Sequence, residues 1–218
     1  MARLIDLSHP IHNGMPSYPG FPEPHIGAHL THAESRPHYQ GKAEFYISHY
    51  DLVGSLGSYM DSPFHRYPDG IDLSQIPLER VADLPGLVVD ARGEPERSLG
   101  ADLLEGLEVE GRAVLFRTDW SVRWETPAYW EPAPYLSPEL CQQLVERGAI
   151  LAGVDFWNVD DTADPSRPAH SSLLAAGVLI VENLTGLAAL PPSGFQLHAA
   201  PLAIRGGAAV PLRVYAVV

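Results

Sequence analysis

The stretch SPELCQQLVERGAILAGVD, Ser137 to Asp155, carries the clearest structural signals in the chain. Ser137 is a good N-cap, Pro138 suits the first helical position, and the helix that they predict ends at Gly148. The apolar run AILAGV has the composition of a buried strand, and it ends at a carboxylate, Asp155. A helix that leads directly into a buried strand is typical of α/β proteins.

Further strands and helices are predicted on both sides of this unit. The predicted strands are AEFYISHYDLV (43–53), PGLVVDAR (85–92), RAVLFRT (112–118), VLIVEN (178–183) and, at the C-terminus, VPLRVYAVV (210–218). The predicted short helices are GADLLEGLEV (100–109) and HSSLLAAG (170–177). Because helices and strands alternate, and no linker or repeat divides the chain, we expect one α/β domain over residues 1–218.

Composition excludes several classes of function. The 218 residues are 45% hydrophobic and carry a formal net charge of -13, which is opposite to the basic surface that nucleic acid requires. No apolar run approaches the roughly 20 residues that span a membrane, and the N-terminus lacks the apolar core of a secretory signal. The one cysteine, Cys141, lies on the apolar face of a predicted helix, where a packed thiol is expected. We therefore expect a soluble cytoplasmic protein without nucleic-acid or membrane partners.

A second stretch, GSLGSYMDSPFHRYPDG (54–70), concentrates residues with possible chemistry. Asp61 and His65 are residue types that bind metals, and Pro63 holds them on a stiff, extended segment. Ser55 and Tyr59 precede them where further ligands would be expected, and neither is a usual metal ligand. This pattern alone leaves three interpretations open: metal chemistry, other chemistry on the same segment, or a lost site.

Two carboxylates follow predicted strands, at the ends where ligands of α/β sheets usually bind. Burying either carboxylate without a partner would be costly. For Glu182 a functional and a structural role have equal weight, whereas Asp155, followed by three more aspartates within ten residues, is expected to support loop turns. The aromatic loop at 118–135 is equally consistent with lining a pocket and with covering an edge of the core.

The run GSYMDSPFH resembles the signature His-x-Gly-Thr-His-x-Asp-x-Pro-x-His of the cyclase family of metal-dependent hydrolases, the family of bacterial kynurenine formamidase and isatin hydrolase. The matching residues are Gly57, Asp61, Pro63 and His65, with Ser58 in place of threonine. Ser55 and Tyr59 stand where the signature has two histidine ligands. The resemblance continues in LIDLSHPIHNGMPSYPG, GVDFWNVDD, RPAHSSLLAAGVLIVENLTGL and PLAIRGG, so it covers nearly the full chain.

This resemblance implies a β-barrel-like core surrounded by helices, in a homodimer or homotetramer. It carries over three metal ligands, Asp61, His170 and Glu182. Because serine and tyrosine are poor zinc ligands, we expect at most one divalent metal per subunit, zinc or manganese. By the same resemblance, His65 is the catalytic acid/base.

The resemblance also places residues beside the substrate. Tyr59 is a second catalytic candidate, because a phenol can donate a hydrogen bond to a developing oxyanion. Residues expected to contact the substrate are Tyr18, Ser55 and Phe64, with Trp120 and Trp124 as further candidates. Arg66 and Arg167 flank the ligand blocks, which allows one carboxylate on the substrate.

The predicted reaction is hydrolysis of a C–N or lactone bond in a small cyclic or aromatic amide, formamide or lactam. Two alternatives remain at this stage. One is a metal-free cyclase or dehydratase that uses His65 and Tyr59. The other is a non-catalytic binder of small molecules on the same fold.

Overall fold

The computed structural model of the protein describes residues 2–218. Its strands are β1 Leu4–Asp6, β2 His25–Leu30, β3 Ile47–Asp51, β4 Tyr59–Asp61, β5 Leu84–Asp90, β6 Ser98–Leu99, β7 Ala113–Arg117, β8 Tyr135–Leu136, β9 Leu151–Val154, β10 Leu179–Glu182, β11 Ser193–His198, β12 Ala209–Pro211 and β13 Tyr215–Val217. Its α-helices are α1 His32–Ser35, α2 Pro138–Glu146 and α3 Pro168–Ala175. Within this range no helix is long and apolar enough to cross a membrane.

Nine strands form one curled sheet in the order β1-β13-β11-β5-β7-β9-β10-β4-β12. The central strands β5, β7, β9 and β10 are parallel, and the strands that flank them are antiparallel. The sheet is a half-barrel, which confirms the predicted α/β fold with a barrel-like core. Helices do not surround this core as expected. The two longer helices, α2 and α3, both pack into one hydrophobic cluster on one face of the sheet.

Strand β7 shows why the central strands are apolar throughout. Val114 and Phe116 pack into the cluster that contains α2 and α3. Ala113 and Leu115 point the other way, into a second cluster on the opposite face of the sheet. Since both faces are covered, the sequence of the strand is continuously hydrophobic and does not alternate with polar residues.

The predicted helix at 137–147 is confirmed. The Ser137 hydroxyl accepts a hydrogen bond from the Leu140 N–H at 3.0 Å, and Pro138 occupies the first turn of α2. Gly148, which follows the C-cap, has a φ of 72°, the left-handed conformation that ends many helices. Cys141 is fully buried on the inner face of α2, and burial raises the pKa of its thiol to about 12.

Three local predictions were wrong in extent. The C-terminal strand is split into β12, which pairs with β4, and β13, which pairs with β1 and β11. Between them the N–H of Val214 donates to the Ser8 hydroxyl at 2.6 Å, so the chain leaves one part of the sheet and joins another.

The helix predicted at 100–109 is a single 3₁₀ turn, Ala101–Leu104, and Gly106 follows it with a φ of 71°. The strand predicted at 43–53 is only five residues long.

That strand, β3, pairs with β2 in a separate two-stranded sheet. We call residues 25–52 the arm. Every residue of β3 is exposed. The large apolar side chains that the arm leaves exposed are Tyr39, Phe45, Tyr46, Ile47, Tyr50 and Leu52. Two-stranded sheets are marginally stable alone, and this one carries its apolar side chains on an exposed surface.

Candidate active site

Three of the predicted site residues lie on two paired strands. In the antiparallel pair of β4 and β10, Tyr59 lies opposite Glu182 and Asp61 lies opposite Ile180. Tyr59 and Asp61 are two positions apart and therefore face the same side. The Tyr59 hydroxyl donates a hydrogen bond to Oε2 of Glu182, and the Val159 N–H donates to Oε1 at 2.7 Å. Both oxygens of Glu182 are thus hydrogen-bonded.

His170 brings an imidazole to the same carboxylates from the first turn of α3. Its Nδ1 lies 2.5 Å from Oδ2 of Asp160, which is buried. Its Nε2 lies 3.7 Å from Oδ2 of Asp61 and 3.9 Å from Oε1 of Glu182. Asp160 therefore holds the ring so that Nε2 points at the two acids, the arrangement by which a carboxylate orients a metal-binding histidine.

His65 completes the group from the 3₁₀ turn Pro63–His65 that follows β4. Its Nδ1 lies 3.5 Å from Oδ1 of Asp61, and 37% of its side chain is exposed. Asp61, His65 and His170 each offer one ligand atom, and these atoms lie within 4.8 Å of one another. Glu182 is adjacent to this cluster but is engaged by Tyr59 and Val159.

Asp61 is the residue whose surroundings call for a cation. Its side chain is 0% exposed, and within residues 2–218 neither carboxylate oxygen has a hydrogen-bond partner. A buried carboxylate without a partner is costly, and the two nearest imidazole nitrogens are too distant for normal hydrogen bonds. Carboxylate and imidazole donors suit zinc or manganese, and Asp61 and His170 can be joined by Glu182, 3.9 Å from His170, or by His65, so the residues present fit a divalent metal.

Burial and mutual repulsion shift the pKa values of this group. Burial raises the pKa of Glu182, and the Asp61 charge adds to the rise, whereas the His170 charge and the hydrogen bond from Tyr59 oppose it. For His170, burial acts to lower the pKa, but the hydrogen bond to Asp160 and the negative charges of Glu182 and Asp61 outweigh it, and the pKa is raised. Without a cation the cluster therefore retains protons, which a bound metal would displace.

The same effects fix the protonation state of Tyr59. Burial and the neighbouring charges of Glu182 and Asp61 raise the pKa of its phenol well above the ordinary value. Tyr59 is therefore a hydrogen-bond donor at neutral pH and does not act as a phenolate.

These side chains open into a cavity of about 230 Å³. Besides Tyr59, five aromatic rings line it: Tyr18, Phe21, Trp124, Trp130 and Trp157. Tyr18 is central to this wall, with its ring centroid 5.2 Å from that of Phe21 and 5.7 Å from that of Trp157. A cavity of this size with aromatic walls suits a small molecule with a flat ring.

The structure brings most of the predicted residues to the cavity. Those that line it are Tyr18, Ser55, Tyr59, His65, Trp124, Arg167 and His170. Phe64 is half-buried and is not among the described residues that line the cavity. Trp120 donates its indole N–H to the Tyr129 carbonyl, and Arg66 donates to the Ser171 hydroxyl. The aromatic loop therefore does both things that its sequence allowed: Trp124 and Trp130 line the cavity, and Trp120 packs against the core.

Sequence reasoning missed Asp160, which orients His170. It is one of four aspartates between 155 and 164, and only its contact with α3 distinguishes it from the others. The expected structural role of Asp155 is confirmed, because its carboxylate accepts hydrogen bonds from the N–H and hydroxyl of Thr118 and from the Asp119 N–H. Burial raises the pKa of Asp155 to about 6.

The half-barrel and its buried carboxylate–imidazole cluster define a class of α/β protein with a site suited to a divalent metal. Residues 5–161 match the family model described as putative cyclase, and the chain belongs to this family of metal-dependent hydrolases.

Several known proteins are similar to it over most of their length. A kynurenine formamidase from Bacillus cereus is 28% identical over 210 residues, 96% of this chain and 94% of that protein. A kynurenine formamidase from Salinibacter ruber is 32% identical over 165 residues, 74% of this chain and 75% of that protein. The structure of isatin hydrolase A from Ralstonia solanacearum aligns with a TM-score of 0.84 at 29% identity, and the alignment covers 100% of this chain and 92% of that one.

Proposed function

We propose that this protein is a metal-dependent hydrolase that cleaves a C–N or lactone bond in a small cyclic or aromatic amide, formamide or lactam. The observation that carries the proposal is the fully buried carboxylate of Asp61, which has no hydrogen-bond partner in the described chain and lies between two imidazoles beside an aromatic cavity. The names of the relatives, kynurenine formamidase and isatin hydrolase, support the substrate class.

Asp61, His170 and Glu182 are the proposed ligands of one zinc or manganese ion. When bound, such an ion polarises a carbonyl or lowers the pKa of a water molecule. Oε1 of Glu182 already faces His170, and Tyr59 and Val159 hold the carboxylate in that direction. Ser55 and Tyr59 leave no imidazoles for a second ion, so one metal per subunit is proposed.

His65 is the proposed acid/base. It is the most exposed member of the cluster and it lines the cavity, so its ring can reach both the substrate and solvent. Its Nδ1 lies 3.5 Å from Oδ1 of Asp61, which places the ring next to the proposed metal ligands. The one phenolic proton of Tyr59 is donated to Glu182, so Tyr59 orients that carboxylate and has no second proton to donate to a developing oxyanion. The aromatic walls position the substrate ring and exclude water.

Turnover of an aromatic formamide, a lactam and a lactone by wild-type protein and by His65→Ala tests this proposal. We expect wild type to hydrolyse at least one of them. His65→Ala should reduce the rate by about 10²–10⁴-fold while its metal content and circular dichroism stay unchanged. Loss of metal from the variant would instead make His65 a ligand, and binding without any turnover would favour a non-catalytic binder.

We also propose that the protein is a homodimer or homotetramer in the cytoplasm, with a small molecule as its only other partner. The exposed apolar residues of the arm support the self-association. A large apolar surface of this kind on a soluble protein usually marks an interaction site.

A further inference from the structure

Arg167 has a backbone conformation that its residue type disfavours. Its φ is 51° and its ψ is 61°, in the left-handed region, and it directly precedes Pro168. Residues with a Cβ rarely adopt this region, and a following proline restricts the backbone further towards extended conformations. Glycine would adopt it without strain, so the strain points to the side chain as the reason for this residue.

The side chain is held in place by two acceptors, Asn158 in the cavity wall and the buried Asp160. Nη2 donates a hydrogen bond to Oδ1 of Asn158 at 2.8 Å, and Nε lies 3.4 Å from Oδ2 of the buried Asp160. Among the hydrogen bonds of residues 2–218, none uses Nη1. Arg167 therefore presents a fixed guanidinium with spare donors, and it lines the same cavity as the catalytic candidates.

The charge pattern of the cavity makes this guanidinium distinctive. Apart from histidines, Arg167 is the only basic side chain among the described residues that line the cavity. Arg66, the other arginine beside the site, donates its Nε to the Ser171 hydroxyl and does not line the cavity within the described chain. A planar guanidinium with free N–H groups is suited to a carboxylate.

The position of Arg167 separates this contact from the reacting bond. Arg167 contacts Asp160, Asp160 contacts Nδ1 of His170, and it is the opposite nitrogen of that ring, Nε2, that lies near Asp61. A molecule whose carbonyl lies beside Asp61 would therefore meet Arg167 with a group on another part of its ring.

We propose that Arg167 selects substrates that carry a carboxylate on the aromatic or cyclic part of the molecule, away from the bond that is cleaved. This inference rests on the proposed function of the site and names its substrate class. It makes Arg167 a specificity residue, and it predicts that neutral amides of the same shape bind more weakly.

The test uses a matched pair of ligands of nearly equal size, 4-acetamidobenzoate and 4-acetamidobenzamide, which carry a carboxylate and a neutral carboxamide as the para substituent. Binding to the metal-loaded protein is followed by quenching of tryptophan fluorescence, since Trp124, Trp130 and Trp157 line the cavity. We expect the acid to bind wild type about 10- to 100-fold more tightly than the amide, the range for a hydrogen-bonded charge. Arg167→Gln should bring the two affinities within about threefold of each other.

Arg66→Gln is the matched control and should retain the preference for the acid. Arg167→Lys keeps the charge without the planar donor pair; it should keep a reduced preference, and it serves as the test if Arg167→Gln does not fold. Equal affinities in wild type, or a full preference in Arg167→Gln, would overturn the inference. If the protein hydrolyses neutral amides and shows no preference for the acid, the role of Arg167 is wrong and the proposed function stands. If it prefers the acid but hydrolyses nothing, the role of Arg167 stands and the proposed function is wrong.

Discussion

Tyr59 stands where the family signature has a metal-binding histidine. Its hydroxyl does not take over that role but donates a hydrogen bond to Glu182. The phenol donates to Oε2 of Glu182 from the opposite strand, while the Val159 N–H holds Oε1. Groups behind a metal ligand fix its direction, and removing them commonly weakens metal binding. Tyr59 is thus a positioning residue for the proposed single-metal site.

Tyr59→Phe should weaken binding of one zinc or manganese ion by about 10–100-fold, because Glu182 loses the donor that fixes its orientation. Equilibrium dialysis of the metal-free protein against either ion measures this directly. Tyr129→Phe is the matched control: it also removes a buried hydroxyl, which donates to Asn183 at 2.6 Å and not to Glu182. Tighter metal binding in Tyr59→Phe would show instead that the phenol competes with the metal.

For individual residues, the sequence identified the members of the buried cluster but not the residues that orient them. The signature and the later blocks point to Asp61, His65, His170 and Glu182, and the structure gathers them beside one cavity. Asp160 could not be identified, because choosing among four nearby aspartates requires knowing where α3 packs. Likewise, only the fold separates Arg167 at the cavity from Arg66 outside it.

Helix α2 contains a buried thiol that reports on the stability of the helix. Ser137 caps it and Cys141 lies buried on its inner face, so the thiol becomes accessible only when the helix opens. Burial also raises the pKa of the thiol to about 12, which keeps it protonated and unreactive at neutral pH.

Ser137→Ala should therefore increase the rate at which Cys141 reacts with a thiol reagent in the native protein. Loss of an N-cap costs about 1 kcal/mol, which corresponds to about a fivefold larger open population. Gln142→Ala, a change on the exposed side of the same helix, should leave the rate nearly unchanged. Equal rates in wild type and Ser137→Ala would mean that the helix does not open from its N-terminus.

Helices and strands differ in how well local sequence signals predict their ends. Helix α2 was predicted within one residue at its C-terminus because its cap, proline and terminal glycine are local signals. The C-terminal segment was predicted as one strand, yet it divides between two distant parts of the sheet. Its apolar pattern is the same in either case, and only the pairing partners, β4 and β11, decide the break.

For the whole molecule, the arm is the segment that groups six of the exposed large apolar side chains of residues 2–218. Tyr50 is 61% exposed and Ile47 is 49% exposed, although both are strand residues of a type that is normally buried. Asn13 ties the arm to the body through two hydrogen bonds with Ile26, so its base is fixed while its strands stay exposed.

Replacing Ile47 and Tyr50 together by lysine should convert the proposed dimer or tetramer into monomers, because two charges would have to be buried at the interface. Analytical ultracentrifugation measures the change. Leu78→Lys is the control, since Leu78 is 67% exposed and lies outside the arm. A wild type that sediments as a monomer, or an arm variant that stays assembled, would contradict this role of the arm.

The claim that one metal at Asp61 supports hydrolysis is tested most directly by titrating the metal-free protein with zinc or manganese while measuring hydrolysis of the best substrate of the panel. The expected result is negligible turnover without metal and a linear rise that stops at one equivalent per subunit. Full turnover by the metal-free protein, or a rise that continues to two equivalents, would contradict the account.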